Sequence, residues 1–318
     1  MNDIDLKISQ SEAEWRRYRQ ETIGVRESGK AFLAALGRSM QKRLRGVRGN
    51  LHPLSKRITF EPSYAGNRKN IVVSLTSTQK RIAGICPTLE SLAAQSRKPD
   101  LIVLWLGKGG SYPRKTIEKI RAMGIRIRFR EDLGPHTKYC YAFREFGNDL
   151  IITADDDILY HERMIEELLQ AHAKHKDCVI ARRVHKIRFG RDRKILKYAD
   201  WIREYRDAKA PAHDLLATGV GGVLYPPEVI ALLRRDDQDF LGICPKADDI
   251  WLKFLALSKD VKICAAGASG FVLDVINSRS QKYSLASENV DKGKNDEQIK
   301  ACADYFGMSD DLCERVLS

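Results

Sequence analysis

From residue 70 onward the chain alternates short apolar runs with amphipathic stretches of helical length, and few architectures accommodate that alternation. Ile71-Val-Val-Ser-Leu-Thr76 and Leu101-Ile-Val-Leu-Trp-Leu106 are runs of strand length, Ile125 to Phe129 alternates with arginines, and Leu150-Ile-Ile-Thr153 is a fourth run. Between them, Arg81 to Gln95 places Ile82, Ile85, Leu89 and Leu92 on one helical face. Pro113 to Met123 has Pro near its start and Gly124 just past its end, and Thr137 to Phe146 reads as a third helix. Apolar strands alternating with helices predict an α/β fold, a mostly parallel sheet with right-handed crossovers and helices packed on it.

The remaining chain predicts two appendages. Residues 1–65 read as a basic helical N-terminal region, 66–290 as the α/β domain, and 291–318 as a helical tail packed on it. Residues 1–70 hold 15 Lys+Arg and 7 Asp+Glu, with the densest stretch at Arg38–Arg48. A solvated helical arm explains this pattern, and so does attachment to anionic lipid headgroups. The whole chain, with 55 Lys+Arg against 42 Asp+Glu, carries +13 and favours anionic partners. Seven scattered cysteines without a CxxC pair fit reduced thiols in a cytoplasmic protein. The N-terminus lacks the pattern of a signal peptide, and no apolar run has the roughly 18 residues that a membrane span needs. The expectation is a cytoplasmic protein, with peripheral contact to the inner membrane face as a further role of the basic region.

The fourth strand ends in Asp155-Asp156-Asp157, before a helix expected from His161 to Lys176. Ligands of open α/β sheets bind outside the carboxyl ends of the strands, so three adjacent carboxylates stand where a ligand site belongs. They are hard oxygen ligands, suited to a Mg²⁺ or Mn²⁺ ion that completes its shell with water and substrate phosphates. A single Asp there would read as a helix cap; three after an apolar strand favour a metal. No GxxxxGK[ST] run is present, which argues against a P-loop enzyme, and no GxGxxG follows the first strand. Ser74-Leu-Thr-Ser-Thr78 stands in its place, with hydroxyls able to hold a nucleoside or cap the next helix.

These segments, with Gly134-Pro-His-Thr-Lys-Tyr, Gly219-Val-Gly-Gly-Val-Leu-Tyr-Pro-Pro, Ala247-Asp-Asp-Ile-Trp and Asn295-Asp-Glu-Gln, occur in an order that resembles the GT-A fold. Within it, residues 70–300 are most similar to bacterial family-2-like glycosyltransferases of surface-polysaccharide assembly. The resemblance implies transfer of a sugar from a nucleotide-diphosphate donor, a UDP-sugar by family habit, to a hydroxyl of a glycan or lipid-linked acceptor. It implies Asp155 and Asp157 on the metal, with Asp156 beside the donor but not a direct ligand. Thr76 and Arg81 fall where such folds hold the nucleoside, although Arg81 also fits a solvated first turn. Lys138 falls where a cation meets phosphate, or is an ordinary surface lysine. Gly221 and Gly222, in an expected Gly219–Gly222 strand, resemble the floor under the donor sugar, or serve tight packing against a helix. In inverting members an acidic pair supplies the general base. Here that pair is Asp248-Asp249, with Asp249 the preferred base and Asp248 the backup. The usual pair is Glu-Asp, and one acid is also expected to cap the following helix.

Residues 178–210, with 11 Lys+Arg and 4 Asp+Glu, are expected to line an acceptor groove or form an exposed loop. His185 and His213 are candidate late metal ligands or structural histidines. Asn289 and the Asn295–Gln298 run resemble a tail closing over the site, and Asn295 or Asp296 also fits a helix cap. Two rival functions remain. A sugar-nucleotide nucleotidyltransferase would need a phosphate-binding Gly/Arg/Lys loop after the first strand. A nucleic-acid-binding protein fits the charge, but no recognition motif accompanies it, so no nucleic-acid partner is expected.

Overall fold

The computed structural model describes residues 3–27, 69–267, 274–275 and 293–317. The four expected strands are β1 (Ile71–Thr76), β2 (Leu101–Gly107), β3 (Arg126–Arg130) and β4 (Leu150–Ala154). With β6 (Val179–Ala181), β9 (Val223–Tyr225) and β10 (Ile263–Ala265) they form a seven-stranded sheet in the order β10-β6-β9-β4-β1-β2-β3. All neighbouring pairs are parallel except those of β9, which runs antiparallel to both β4 and β6. The architecture is that of the GT-A fold.

The strands are legible from their side chains because β-branched residues pack on a pleated surface buried on both sides. Val72, Val103, Trp105, Ile151, Val223 and Tyr225 enter one core; Ile71, Val73, Leu75, Ile102, Leu104, Ile152 and Leu224 enter the other. Burial at about 25 cal/mol per Å² of apolar area drives both layers. Ser74 is the polar exception in β1. Its Oγ donates to the Lys138 carbonyl and accepts from Trp105 Nε1 at 2.8 Å, so β1, β2 and the Thr137–Phe146 helix are tied at one buried point.

The helices on the two faces are α2 (Cys86–Ala93), α3 (Arg114–Ala122), α4 (Thr137–Phe146), α5 (Met164–Lys174), α6 (Pro227–Leu233), α7 (Phe240–Ile243), α8 (Asp248–Ser258) and α9 (Lys294–Tyr305). Expected and observed bounds differ in three places. The Arg81–Gln95 helix is instead a 3₁₀ turn at Ile82–Gly84 followed by α2, because Pro87 fits only the first turn of an α-helix. The helix after the acids runs Met164–Lys174 rather than from His161. Residues 219–222 are not a strand: Gly219–Gly221 is a 3₁₀ turn, Gly222 has φ +89°, and β9 begins only at Val223.

The basic region is also resolved differently. A first helix, α1 (Asp3–Glu27), docks its acids onto the basic hairpin made by β7 (Val184–Lys186) and the turn after it. Lys186 Nζ meets Glu14 at 2.7 Å, Arg191 meets Glu12 at 3.3 Å, and Arg193 reaches Asp5 at 2.9 Å and Glu314 at 3.1 Å. Arg188 lies 4.7 Å over the Trp15 ring. Within residues 178–210, the part from Lys186 to Arg193 is thus partly covered by α1. Arg38–Arg48 and Asn289 lie outside the described residues. Among the described residues, no helix is long and apolar enough to cross a membrane.

Candidate functional site

The C-terminal ends of β1 and β4 lie side by side, with Leu75 paired to Ala154, so Thr76–Ser77 and Asp155–Asp157 leave the sheet together. The three aspartates then point to different surroundings. Asp156 is buried; its carboxylate accepts from Ser77 Oγ and Arg81, and its carbonyl accepts from Thr88 Oγ1 at 3.0 Å. It joins β4 to the β1 loop and α2, a structural clamp rather than an open contact. Asp155 and Asp157 keep side chains 25% and 18% exposed, enough to receive a ligand from solvent. The Asp155 amide donates to Tyr160 Oη at 2.7 Å, which fixes the turn from behind.

Each of the two outer acids already faces a cation. Arg81 Nη2 lies 2.8 Å from Asp157 as well as on Asp156, so it is not a solvated helix-start residue. Lys138 Nζ lies 2.8 Å from Asp155 and 3.0 Å from Asp248. Lys138 is buried at the start of α4, and the carboxylates hold its ammonium charged although burial opposes the charge. The surface-lysine alternative for Lys138 is therefore ruled out. In this structure its ammonium bridges the two acidic segments, which stand 93 residues apart in sequence.

The second segment begins α8. Its N-cap is Ala247 and no side chain caps it, so neither Asp248 nor Asp249 does the capping expected of one of them. Asp248 is engaged by Lys138. Asp249 Oδ1 accepts from the Ile250 amide at 2.9 Å, and burial together with the Asp248 charge pushes its carboxyl up to about 7. Burial and its acidic neighbours push Asp157 up to about 6 despite Arg81.

The glycine turn closes over the Lys138–Asp155 pair at an unexpected position. A Cβ on Gly219 would sit 2.9 Å from Lys138 Nζ and 3.4 Å from Asp155 Oδ1, so only glycine leaves this space open. Gly221 is buried within the turn. Gly222 faces the core instead: its Cβ would meet Met164 Sδ at 3.0 Å, the packing alternative weighed for this run. Thr76 is at the rim, with its hydroxyl donating to the Trp105 carbonyl at 3.1 Å.

The candidate histidines are structural. His185 Nδ1 accepts from the Glu204 amide at 3.0 Å, and burial pushes its ring down to about 3. His213 pairs through Nε2 with Asp260 at 2.9 Å. In the tail, Gly293 at φ +69° is the N-cap of α9, so neither Asn295 nor Asp296 caps it. Asp296 instead accepts from the Tyr198 amide at 2.7 Å, and Gln298 from the Lys246 amide at 3.0 Å, just ahead of the acid pair. Thr88 went unremarked in the sequence, and Gly219, Ser77 and His136 stood only within longer runs, with no individual role. A hydroxyl or glycine beside a strand end is too common a pattern to single out.

A Mg²⁺ or Mn²⁺ ion fits the donor set of Asp155 and Asp157. The two carboxylates, part-exposed, are hard oxygen ligands of the kind such an ion takes, the rest of its shell being water and phosphate. Among the described residues, no group of three or more His, Cys, Asp or Glu side chains is arranged to hold a metal ion.

Comparison with known proteins gives a family match. The model of glycosyl transferase family 2 matches residues 75–225, a span that includes Thr76, Arg81, Lys138, the three aspartates and the glycine turn but stops before Asp248. Among solved structures, glucosyl-3-phosphoglycerate synthase from Mycobacterium tuberculosis, in complex with Mn²⁺, UDP and glucosyl-3-phosphoglycerate, is 15% identical with a TM-score of 0.30. That alignment covers 36% of this chain and 43% of the synthase. TarS 1–349 from S. aureus, in complex with UDP, is 13% identical with a TM-score of 0.43, over 68% of this chain and 63% of that one. The chain thus spans less than two thirds of either structure. No curated protein sequence matches it. Over residues 75–225 the chain is thus similar to glycosyl transferase family 2.

Proposed function

We propose that this protein moves a sugar from a UDP-sugar to a hydroxyl of a glycan or lipid-linked acceptor, with inversion, in the assembly of a bacterial surface polysaccharide. The observation that carries the reading is Lys138, whose single ammonium joins Asp155 of the first acidic segment to Asp248 of the second. Donor-side and acceptor-side acids would thereby belong to one site, at the carboxyl ends of the strands where ligands of such folds bind.

Each residue then has a chemical task. Asp155 and Asp157 would hold the Mn²⁺ or Mg²⁺ ion, which when bound neutralises charge on the donor diphosphate. Arg81 and Thr76 stand at the β1 rim, where the nucleoside would lie. Lys138 supplies positive charge beside the leaving group as the sugar–phosphate bond breaks. Gly219 leaves room for the donor against the Lys138–Asp155 pair, with Gly221 in the same turn. Asp249 accepts the proton of the acceptor hydroxyl, because a base works best with a pKa near the operating pH and Asp249 is pushed up to about 7. Asp248 pairs with Lys138 at the start of α8, and the Lys138 charge opposes the rise that burial imposes on its carboxyl. The basic segment at Arg38–Arg48 would add peripheral contact with an anionic membrane face, bringing the enzyme to a lipid-linked acceptor.

The test is a screen of nucleotide sugars with and without Mn²⁺ or Mg²⁺, read by hydrolysis and by thermal stabilisation. A UDP-sugar at 100 times its Kd should add about 2.7 kcal/mol to the folded state, only with metal present. Metal-independent binding of every nucleotide alike, with no hydrolysis, would overturn the reading.

A further inference from the structure

The loop that delivers Asp248 and Asp249 is held by the segment that delivers Lys138. Alternate residues of 134–138 meet it in turn. Gly134, at φ +61°, is so close that a Cβ there would lie 3.5 Å from the Pro245 carbonyl oxygen. His136 Nε2 is 2.7 Å from the Cys244 carbonyl oxygen, and Lys138 Nζ is 3.0 Å from Asp248. His136 is fully buried and stacks on Phe240 with ring centroids 4.3 Å apart. Its Nδ1 lies 3.0 Å from Tyr139 Oη. A carbonyl can only accept, so Nε2 carries the proton and Nδ1 takes the tyrosine hydroxyl's hydrogen. Burial pushes the imidazole down to about 3, so the ring stays neutral and the arrangement holds across the working pH range.

We propose that His136 is a positioning residue of the transfer reaction, fixing through the Cys244 carbonyl the loop that presents Asp248 and Asp249 to the Lys138–Asp155 pair. A ring needed only for packing would be an aromatic hydrocarbon; the buried carbonyl of Cys244 needs a donor at one defined point. Loops that carry reacting groups are costly to misplace: about 1 Å can lower a rate on the order of 10²-fold. The inference rests on the proposed glycosyl transfer, since it concerns the placement of the base in that reaction.

The experiment compares full-length wild type, His136→Gln and His136→Phe. Turnover is read as metal-dependent hydrolysis of UDP-glucose, UDP-galactose or UDP-N-acetylglucosamine, whichever the wild type cleaves; binding is read calorimetrically with UDP and Mn²⁺. Gln keeps an N–H donor near the place of Nε2, whereas Phe keeps the stack and loses the donor. His136→Phe is expected to lose at least about tenfold in kcat, with the Kd for UDP and Mn²⁺ within about twofold, and His136→Gln to recover most of kcat. Unchanged kcat in the Phe variant, an equal loss in the Gln variant, or a parallel loss of UDP affinity would each overturn the proposal. Should the Phe variant not fold, Tyr139→Phe removes only the hydroxyl that orients the ring; a lowered kcat at constant Kd supports the proposal and an unchanged kcat overturns it. A wild type that cleaves no UDP-sugar overturns the functional reading and this inference with it. An active wild type indifferent to both His136 changes overturns this inference alone.

Discussion

Replacing Lys138 by Met removes the one cation shared by Asp155 and Asp248 while nearly preserving side-chain volume. Two ion pairs are lost, at 2.8 and 3.0 Å, and Asp248 is left buried without its partner. Removing one member of a buried pair costs about 3–5 kcal/mol. With roughly 2–4 °C of Tm per kcal/mol for a domain of this size, the melting point should fall by roughly 6–20 °C at pH 8. The sign with pH follows from Asp248. Burial already raises its folded pKa, Lys138 lowers it, and without Lys138 it rises further. A carboxylate with a raised folded pKa loses stability as pH climbs from its unfolded value through its folded one. Because Asp248 is raised in the wild type as well, the deficit of Lys138→Met grows only between the wild-type folded pKa and the higher one of the variant, so it should be larger at pH 8 than at pH 5. Melting curves by circular dichroism at both pH values decide it. An equal drop at the two would mean that Lys138 contributes packing only, and the two acidic segments would not be electrostatically joined.

Asp249→Asn should lower turnover by about 10²–10⁴-fold while leaving UDP and Mn²⁺ binding intact, and the wild-type rate should climb with pH through about 7 because the base acts only when ionised; a flat profile between pH 6 and 8 would reassign the base. Gly219→Ala should impair metal-dependent UDP binding, since its Cβ would crowd Lys138 Nζ at 2.9 Å, yet melt close to wild type. Gly222→Ala should do the reverse, costing about 1–3 kcal/mol of stability at φ +89°; calorimetry and melting of the two variants side by side separate the ligand-facing glycine from the core-facing one.

Local chemistry made much of this molecule legible in its sequence. The runs at 71–76, 101–106 and 150–153 became strands because their residues bury both faces, and Asp155–Asp157 fell at a strand end as the apolar run before them requires. What stayed hidden depends on distant partners. Nothing local to Lys138 tells that a carboxylate 110 residues later will lie 3.0 Å away. The glycine run looked like a strand open to close approach of a ligand, but Gly222 needs a positive φ that a strand does not supply. The arginines of 182–193 looked like a surface for an outside anion, and several are neutralised by acids of α1, which sequence distance conceals. Asp248 and Asp249 looked like caps because acids before an apolar stripe usually are.

The reversed direction of β9 has a consequence for how this family of sites can vary. Val223, Leu224 and Tyr225 pair with Thr153, Ile152 and Ile151, and they alternate between the two hydrophobic layers: Val223 and Tyr225 on one side, Leu224 on the other. Adding or deleting one residue in the Gly219–Gly222 turn would slide that register by one and send every side chain of β9 to the wrong layer. The turn that touches the acids is thus locked in length by the oil behind it. Changes of length are confined to segments that do not feed directly into the sheet.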